Sequence, residues 1–449
     1  MASMATRNGR CSSLDNTRSS PAARSRTPKP ESIGYVALER PLDLRPSRRG
    51  RLAVVVPRYG ADVVGGAESV VRELAGGLAE RGHDVDVLTS CARDHTTWRN
   101  EYPAGTAVVD GVTVRRFPAV VSRTRDDRVL FNRAIASGSP LRLDEQDRWL
   151  NDDARVPELF DHLLERGRDY RAVILAPYLY WTTIAAAQAV PERAVLLPCL
   201  HDEPEAALDV FGRLFESVRG IWFLSEPEMH VAERLYPRLA DHRVVGAGVH
   251  VPTSYDPERF RKRYGIDGRF LLYAGRREAG KNWDALVDGF GAASERAALP
   301  FSLVTIGAVP VRAGSGRADR VIDLGYVPAD DRDDAFAAAD AYLQPSRYES
   351  FSRTLMESWL AGTLVIANGA GEVNRWHCIR SGAGLVYDDD LELEQCLRFV
   401  ADAPDSAAAL GAAGRAYALQ TAKWSTVLDR VETSLDEWFP STPAQDARP

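Results

Sequence analysis

The chain has 449 residues, more than one hydrophobic core usually serves, so two domains of roughly 150–200 residues each are expected. It is 45% hydrophobic and 27% charged, and no stretch approaches the roughly 20 uninterrupted apolar residues of a membrane span. A net charge of −7 argues against a dedicated nucleic-acid binder, while leaving room for local basic sites and for a peripheral membrane contact.

Residues 1–49 are rich in Ser, Arg and Pro and almost free of apolar periodicity, so they read as a disordered tail. Their acid-poor start also suits an organelle-targeting segment, but it lacks the apolar stretch of a secretory signal, and Met4 is an alternative start. Order begins at "RLAVVVPRYGADVVGGAESVVRELAGGLAERGHDVDVLTS". Leu52–Val56 predicts a buried strand. A glycine-bearing loop then leads into a helix with Val70, Val71, Leu74 and Leu78 on one side, Gly82 ends it, and "VDVLT" is the next strand. This is the parallel crossover unit of doubly wound sheets.

Further strands are expected at Val112–Phe117, Val173–Ala176, Val195–Leu200 and Ile221–Leu224, with helices around 155–166, 181–189 and 205–218. The charged, poorly periodic region 121–150 reads as an insertion over the first sheet. After "VHVPTSYDPERF" a second series begins. Its strands fall at Phe270–Ala274, Phe301–Ile306, Val321–Leu324, Ala341–Gln344, Leu364–Ala367 and Gly384–Val386, and its helices near 282–297, 331–339, 355–361 and 391–403. The expected fold is therefore α/β, with two doubly wound Rossmann-like domains, 50–250 and 251–425, facing across a cleft. The helix at 426–440, with Val427, Leu428, Val431, Leu435 and Phe439 on one side, is expected to pack back on the first domain, and 441–449 to be disordered.

Several motifs carry chemistry. In "YAGRREAGKN", Arg276 and Lys281 flank a turn that opens a helix, where helix-terminal N–H groups already favour an anion; two fixed cations there suit a diphosphate. Gly275 and Gly280 let backbone approach a ligand, although two solvated loop charges would explain the same residues. Gly65 and Gly66 lie between strand and helix without a GxGxxG fingerprint, which disfavours a dinucleotide oxidoreductase. They read as a tight turn or as a loop whose amides touch a phosphate or an acceptor. His201 in "LLPCLHDEP" follows a strand end and could hold a sugar hydroxyl, or be a structural hydrogen-bonder. No nucleophile elbow supports hydrolase chemistry.

Glu349 and Glu357 in "SRYESFSRTLMES" span a loop and the start of a helix. Carboxylates there can each accept two hydroxyl hydrogen bonds, while the amides of Ser350, Phe351 and Ser352 face any phosphate at the helix start; a capping acid plus an exposed helix acid is the bland alternative. The pair Asp84 and Asp86 invites a metal reading but opens a buried strand, "DDRDD" at 330–334 reads as acids at a helix amino end, and "DDD" at 388–390 as a polar turn; no metal site is expected. Cys11, Cys91, Cys199, Cys378 and Cys396 lie far apart without metal-type spacing, as expected for reduced thiols in the cytoplasm.

Three stretches, "GGAESVVRELAGGLAERGHDVDVLT", "YAGRREAGKN" and "PSRYESFSRTLMESWLAGTLVIANGAGE", make the chain resemble the retaining GT-B glycosyltransferases, the large family that includes sucrose-phosphate synthases and bacterial mannosyl- and glucosyltransferases. The resemblance covers about residues 51–440. It implies transfer of a hexose-type sugar from a nucleotide-diphosphate sugar to a hydroxyl on a small molecule, glycan or lipid-linked acceptor, with no cofactor or metal. It assigns Arg276 and Lys281 to the donor diphosphate, Glu357 to the ribose, and Glu349 with the amides of Ser350, Phe351 and Ser352 to the transferred sugar. It also places His201 near that sugar and Gly65 and Gly66 in the first-domain loop. Ser350-Phe351-Ser352 stands where the family has Gly-Phe-Gly, and Arg353 where it has a small apolar residue. Two alternatives remain at this level: a non-catalytic nucleotide-sugar-binding protein of the same fold, and a nucleotide-sugar epimerase.

Overall fold

In the computed structural model, the described residues are 50–63, 65–121, 126–152, 154–307 and 320–440. The tails expected at 1–49 and 441–449, and Cys11, lie outside them. The first part of the chain runs β1 (Arg51–Val55), α1 (Gly66–Glu80), β2 (Asp84–Ser90), β3 (Gly105–Val109), β4 (Val112–Phe117), α2 (Asp126–Ala136), α3 (Leu143–Asn151), α4 (Pro157–Arg166), β5 (Tyr170–Leu175), α5 (Trp181–Ala189), β6 (Ala194–Leu196), α6 (Asp209–Ser217), β7 (Gly220–Phe223), α7 (Glu226–Leu235) and β8 (His242–Val244). These strands form one sheet in the order β3-β4-β2-β1-β5-β6-β7-β8, parallel except for the β3–β4 pair.

The second part runs α8 (Pro257–Tyr264), β9 (Arg269–Ala274), α9 (Trp283–Ala297), β10 (Phe301–Ile306), β11 (Val321–Gly325), α10 (Ala329–Ala338), β12 (Ala341–Gln344), α11 (Arg353–Leu360), β13 (Val365–Asn368), α12 (Glu372–Ser381), β14 (Gly384–Tyr387), α13 (Asp390–Asp402), α14 (Pro404–Thr421) and α15 (Trp424–Trp438). Its strands order as β11-β10-β9-β12-β13-β14, all parallel. Helices on both faces leave the central strands buried at nearly every position, which is why β1, β9 and β12 read as continuous apolar runs rather than alternating ones. Both sheets reverse strand order beside their first strand, between β1 and β5 and between β9 and β12. Loops at the carboxyl ends of these pairs diverge there and leave a crevice.

Several expectations need correction. The strand expected to reach Leu200 ends at Leu196, because Pro198 has no N–H to continue a ladder; Leu197 N still donates to Leu175 O at 2.8 Å. The described part of the 121–150 stretch needs no such change: Phe131, Ile135, Trp149 and Leu150 of α2 and α3 pack over one face of the first sheet, and Trp149 meets Phe211 edge-on at 6.4 Å. On α15 the buried stripe is Val427, Leu428, Val431, Leu435 and Trp438, while Phe439 caps the helix half-buried. This helix crosses back to the first sheet. The Trp222 indole donates to Ser434 Oγ at 2.7 Å, and Arg81 reaches Asp429 and Glu432 at 2.7 and 2.8 Å.

The acidic runs have structural work to do. In α10, Asp331 and Asp334 are buried and dock α8, pairing with Arg263 and Tyr264, and with Arg259 and the Asp256 amide, respectively. Asp389 caps α13 by accepting from the amides of Leu391 and Glu392, both at 2.9 Å. Asp86 is fully buried, and its Oδ2 accepts from Arg115 Nε at 3.0 Å and Tyr170 Oη at 2.9 Å, with Arg51 at 3.7 Å. It is the hub of a buried ion-pair cluster.

Candidate active site

The site grows from two loops of the second sheet, one after β9 and one after β12, flanking its switch point. The first carries Arg276, Arg277 and Lys281. Arg277, not chosen from the sequence, is the buried one: it reaches Asp323, the Thr305 hydroxyl at 2.9 Å and the Gly307 carbonyl at 3.3 Å, and it lies over the Trp283 ring. It fastens the loop to β10 and β11. Arg276, half exposed, pairs with Glu278 at 3.1 Å on its own loop. Lys281 turns the other way and donates to Glu349 Oε1 at 2.7 Å, joining the two loops. The expected cation and the expected sugar-binding carboxylate thus meet, with only 24% and 14% of their side chains exposed.

The loop carrying Glu349 is held from behind. Ser352, the N-cap of α11, has φ 65° and ψ 66°, a left-handed conformation that favours glycine, and it is nearly buried. Its Oγ accepts from Gln344 Nε2 at 2.7 Å, an anchor that offsets the backbone strain and that glycine would lack. His377, also buried, donates from Nε2 to the Phe351 carbonyl at 3.1 Å and takes the Tyr417 hydroxyl on Nδ1 at 3.0 Å. The carbonyl can only accept, so the Nε2–H tautomer is fixed.

Burial pushes the His377 imidazole down to about 3 from an ordinary 6.5. Between those values the unfolded chain binds the extra proton, so the stability from a neutral His377 is whole above pH 6.5 and is lost as pH falls toward 3. At pH 4.5 this amounts to roughly 2–3 kcal/mol. The expected result is that His377→Gln flattens the fall in unfolding free energy between pH 6.5 and 4.5, measured in urea titrations against the parent.

From the first sheet comes His201, five residues beyond β6. Its ring lies 6.4 Å from that of Tyr348 with the planes 25° apart, which brings the first sheet's histidine onto the residue preceding Glu349. Glu203 Oε2 lies 3.6 Å from His201 Nδ1, and Glu203 Oε1 accepts from the Tyr178 hydroxyl at 2.6 Å. Burial acts to raise the Glu203 carboxyl, but hydrogen bonding with His201 and Tyr178 outweighs it and the net shift is downward. The segment is further fixed by buried Glu228, which takes the Leu200 amide at 2.6 Å and the Leu224 amide; burial pushes its carboxyl up to about 8.

Glu357 does not join this group. One turn inside α11, it lies 3.7 Å from Arg332 Nη2, and its charge strengthens the hold of Arg332 on its proton. The two glutamates therefore face different cations, Lys281 and Arg332. Gly65 caps α1, and a Cβ there would come within 2.0 Å of Glu68, whose carboxylate is locked in a buried pair with Arg58. Beyond its own helix and chain neighbours, no atom of the described residues lies within 4 Å of a Cβ at Gly66. Sequence reasoning missed Tyr348, Glu203, Arg277 and Arg332. The first three stand one or two residues from positions it chose, and the charged helix-start context of Arg332 gave no signal.

Two Rossmann-like sheets contributing opposite walls of one crevice define the GT-B glycosyltransferase architecture. The family description "Glycosyl transferases group 1" matches residues 268–401, and "Glycosyltransferase Family 4" matches residues 64–138. The chain is 29% identical over 169 residues to the mannosylfructose-phosphate synthase of Agrobacterium fabrum, a match covering 32% of this chain and 37% of that protein. The match thus spans little more than a third of that relative's length. Among solved structures, the sucrose-phosphate synthase of Thermosynechococcus elongatus superposes with a TM-score of 0.65 at 17% identity, covering 88% of this chain and 100% of that one. HepE of Anabaena, solved with UDP-glucose, superposes with a TM-score of 0.63 at 15% identity, over 86% of this chain and 99% of that one. The two family segments and the relative are thus likenesses to glycosyltransferases, and the solved structures share the fold.

Proposed function

We propose that this chain is a retaining, metal-independent glycosyltransferase that moves a hexose-type sugar from a nucleotide-diphosphate sugar to a hydroxyl acceptor in the cytoplasm. The observation that carries the reading is the contact of Lys281 with Glu349 at 2.7 Å beneath Tyr348 and His201, which gathers a phosphate-binding cation, a hydroxyl-binding carboxylate and a cleft histidine. HepE, of the same fold, binds UDP-glucose, which supports a nucleotide sugar as donor. In this reading the boundary near residue 250 separates an acceptor-side domain from a donor-side domain, and α15 belongs to the former.

The donor enters where Lys281 and Glu349 now satisfy each other: its diphosphate takes Lys281 and Arg276, its sugar takes Glu349 and His201, and its ribose takes Glu357. As the anomeric bond to phosphate stretches, negative charge grows on the diphosphate and the two cations stabilise it. The acceptor hydroxyl approaches on the face the leaving group departs from, and the departing phosphate oxygen takes its proton, which retains configuration. Narrowing of the sugar pocket by the Ser350 side chain makes donor choice stricter than a Gly-Phe-Gly loop would, while the Ser352 side chain is turned away to Gln344.

The test incubates the purified protein with a panel of nucleotide sugars, with and without hydroxyl acceptors, and follows nucleotide diphosphate release and product configuration. Acceptor-dependent release with retained configuration is expected, unchanged by chelator. Isomerised donor without acceptor would make the protein an epimerase, and bound nucleotide without release a non-catalytic binder; either sinks the proposal.

A further inference from the structure

Arg353 stands four residues after Glu349 at the first position of α11, and it reaches across the crevice. Its Nη2 donates to Glu73 Oε1 at 2.7 Å, in the middle of α1. The other oxygen of that carboxylate, Oε2, accepts from the Trp424 indole at 2.6 Å, at the start of α15. The Trp424 ring in turn lies on Gly248, where a Cβ would come within 2.2 Å of it, beside the place where Val249 N donates to Ala422 O at 2.9 Å. One carboxylate therefore fastens three pieces: the helix that opens with Gly65 and Gly66, the helix that follows the Glu349 loop, and the crossing where the chain passes twice between the two sheets.

The side chains of Arg353 and Glu73 are 17% and 27% exposed, so this pair is shielded more than a surface ion pair and its geometry is the charge-assisted kind. Yet Nε and Nη1 of Arg353 are buried with no hydrogen-bond partner among the described residues. Each N–H left unpaired costs free energy that opening of the crevice, by admitting water, would recover. The attraction of the pair and the cost of its orphaned donors oppose one another, so the contact is poised rather than permanent.

We propose that Glu73 and Arg353 are positioning residues of the donor site: their ion pair sets the separation of the middle of α1 from the amino end of α11, and Trp424 ties that separation to the interdomain crossing. The proposal rests on the glycosyltransferase reading for its consequence on turnover, but not for its geometry.

The test is a cycle of Arg353→Met, Glu73→Gln and the double variant, with Arg353→Lys as the conservative replacement. Hydrogen–deuterium exchange of the free protein is read over residues 66–80 and 353–360, with the rest of the chain as control for folding. Each single variant is expected to speed exchange in both segments and to raise the donor KM about tenfold while kcat stays within about threefold. The double variant is expected to do no more than one single, the mark of a coupled pair. Arg353→Lys, which keeps a charge able to reach Glu73, is expected to recover most of the KM. Unchanged exchange at both segments, or single effects that multiply in the double variant, would overturn the proposal. A parent that turns over no nucleotide sugar would sink the functional reading alone; exchange would then decide the ion pair by itself.

Discussion

Lys281→Ala is expected to slow nucleotide diphosphate release by about a hundred- to a thousandfold, or ~2.7–4 kcal/mol of transition-state stabilisation. Two effects add. On the proposed reading the variant would lack the cation that faces the growing charge on the leaving diphosphate, and it leaves the Glu349 carboxylate, 14% exposed, without its partner, so that an anionic donor would meet an uncompensated anion. Glu349→Ala is expected to fall by a comparable factor for a different reason, since its sugar loses the group that orients it. Steady-state release assays on both variants, with circular dichroism to show the fold intact, check this. Release at the parental rate from both variants would mean that the Lys281–Glu349 contact is a structural tie and nothing more.

Asp86→Ala is expected to lower the unfolding free energy by about 3 kcal/mol, at the low end of the ~3–5 kcal/mol typical of breaking a buried ion pair. Asp86 is wholly buried, and its loss strands Arg115, Arg51 and the Tyr170 hydroxyl together. The low end applies because the side chains of Arg51 and Arg115 keep 27% and 30% of their exposure and can turn to water. The measurement is a guanidinium titration of parent and variant. It also separates this account from a metal site on the Asp84 and Asp86 pair: chelator is expected to leave the parent midpoint where it is, and a chelator-sensitive midpoint would contradict the ion-pair hub.

The alternation of strand and helix was legible because parallel strands buried on both faces are apolar throughout, as at Leu52–Val56 and Phe270–Ala274, and because glycine closes the helices between them. The elements that escaped notice lack that signal. β3 is a half-exposed edge strand, and α14 is built largely of Ala and Gly, packing on Trp359 through Gly414 where no large apolar stripe would fit. In the candidate site, Lys281, Glu349 and Glu357 were singled out from local motifs, on the loop after β9, the loop after β12 and α11. Contacts made by distant segments were not. That His201 would meet Tyr348, that Arg332 would face Glu357, and that Arg353 would find Glu73 depend on how two sheets meet, which no local pattern encodes.

The return of α15 to the first sheet also bears on how the protein is made. Trp438 covers Gly220 and lies against Trp222, and Leu428 lies on Gly77, so an apolar seam of the earlier half is closed by α15, the last of the described helices. A ribosome adding ~5–20 residues per second needs on the order of ten seconds or more to build the entire second sheet that intervenes. Throughout that interval the nascent first half carries an uncovered groove. Premature termination before Trp424 would therefore leave a product with exposed indole and aliphatic surface, a substrate for chaperones and proteases rather than a smaller folded protein.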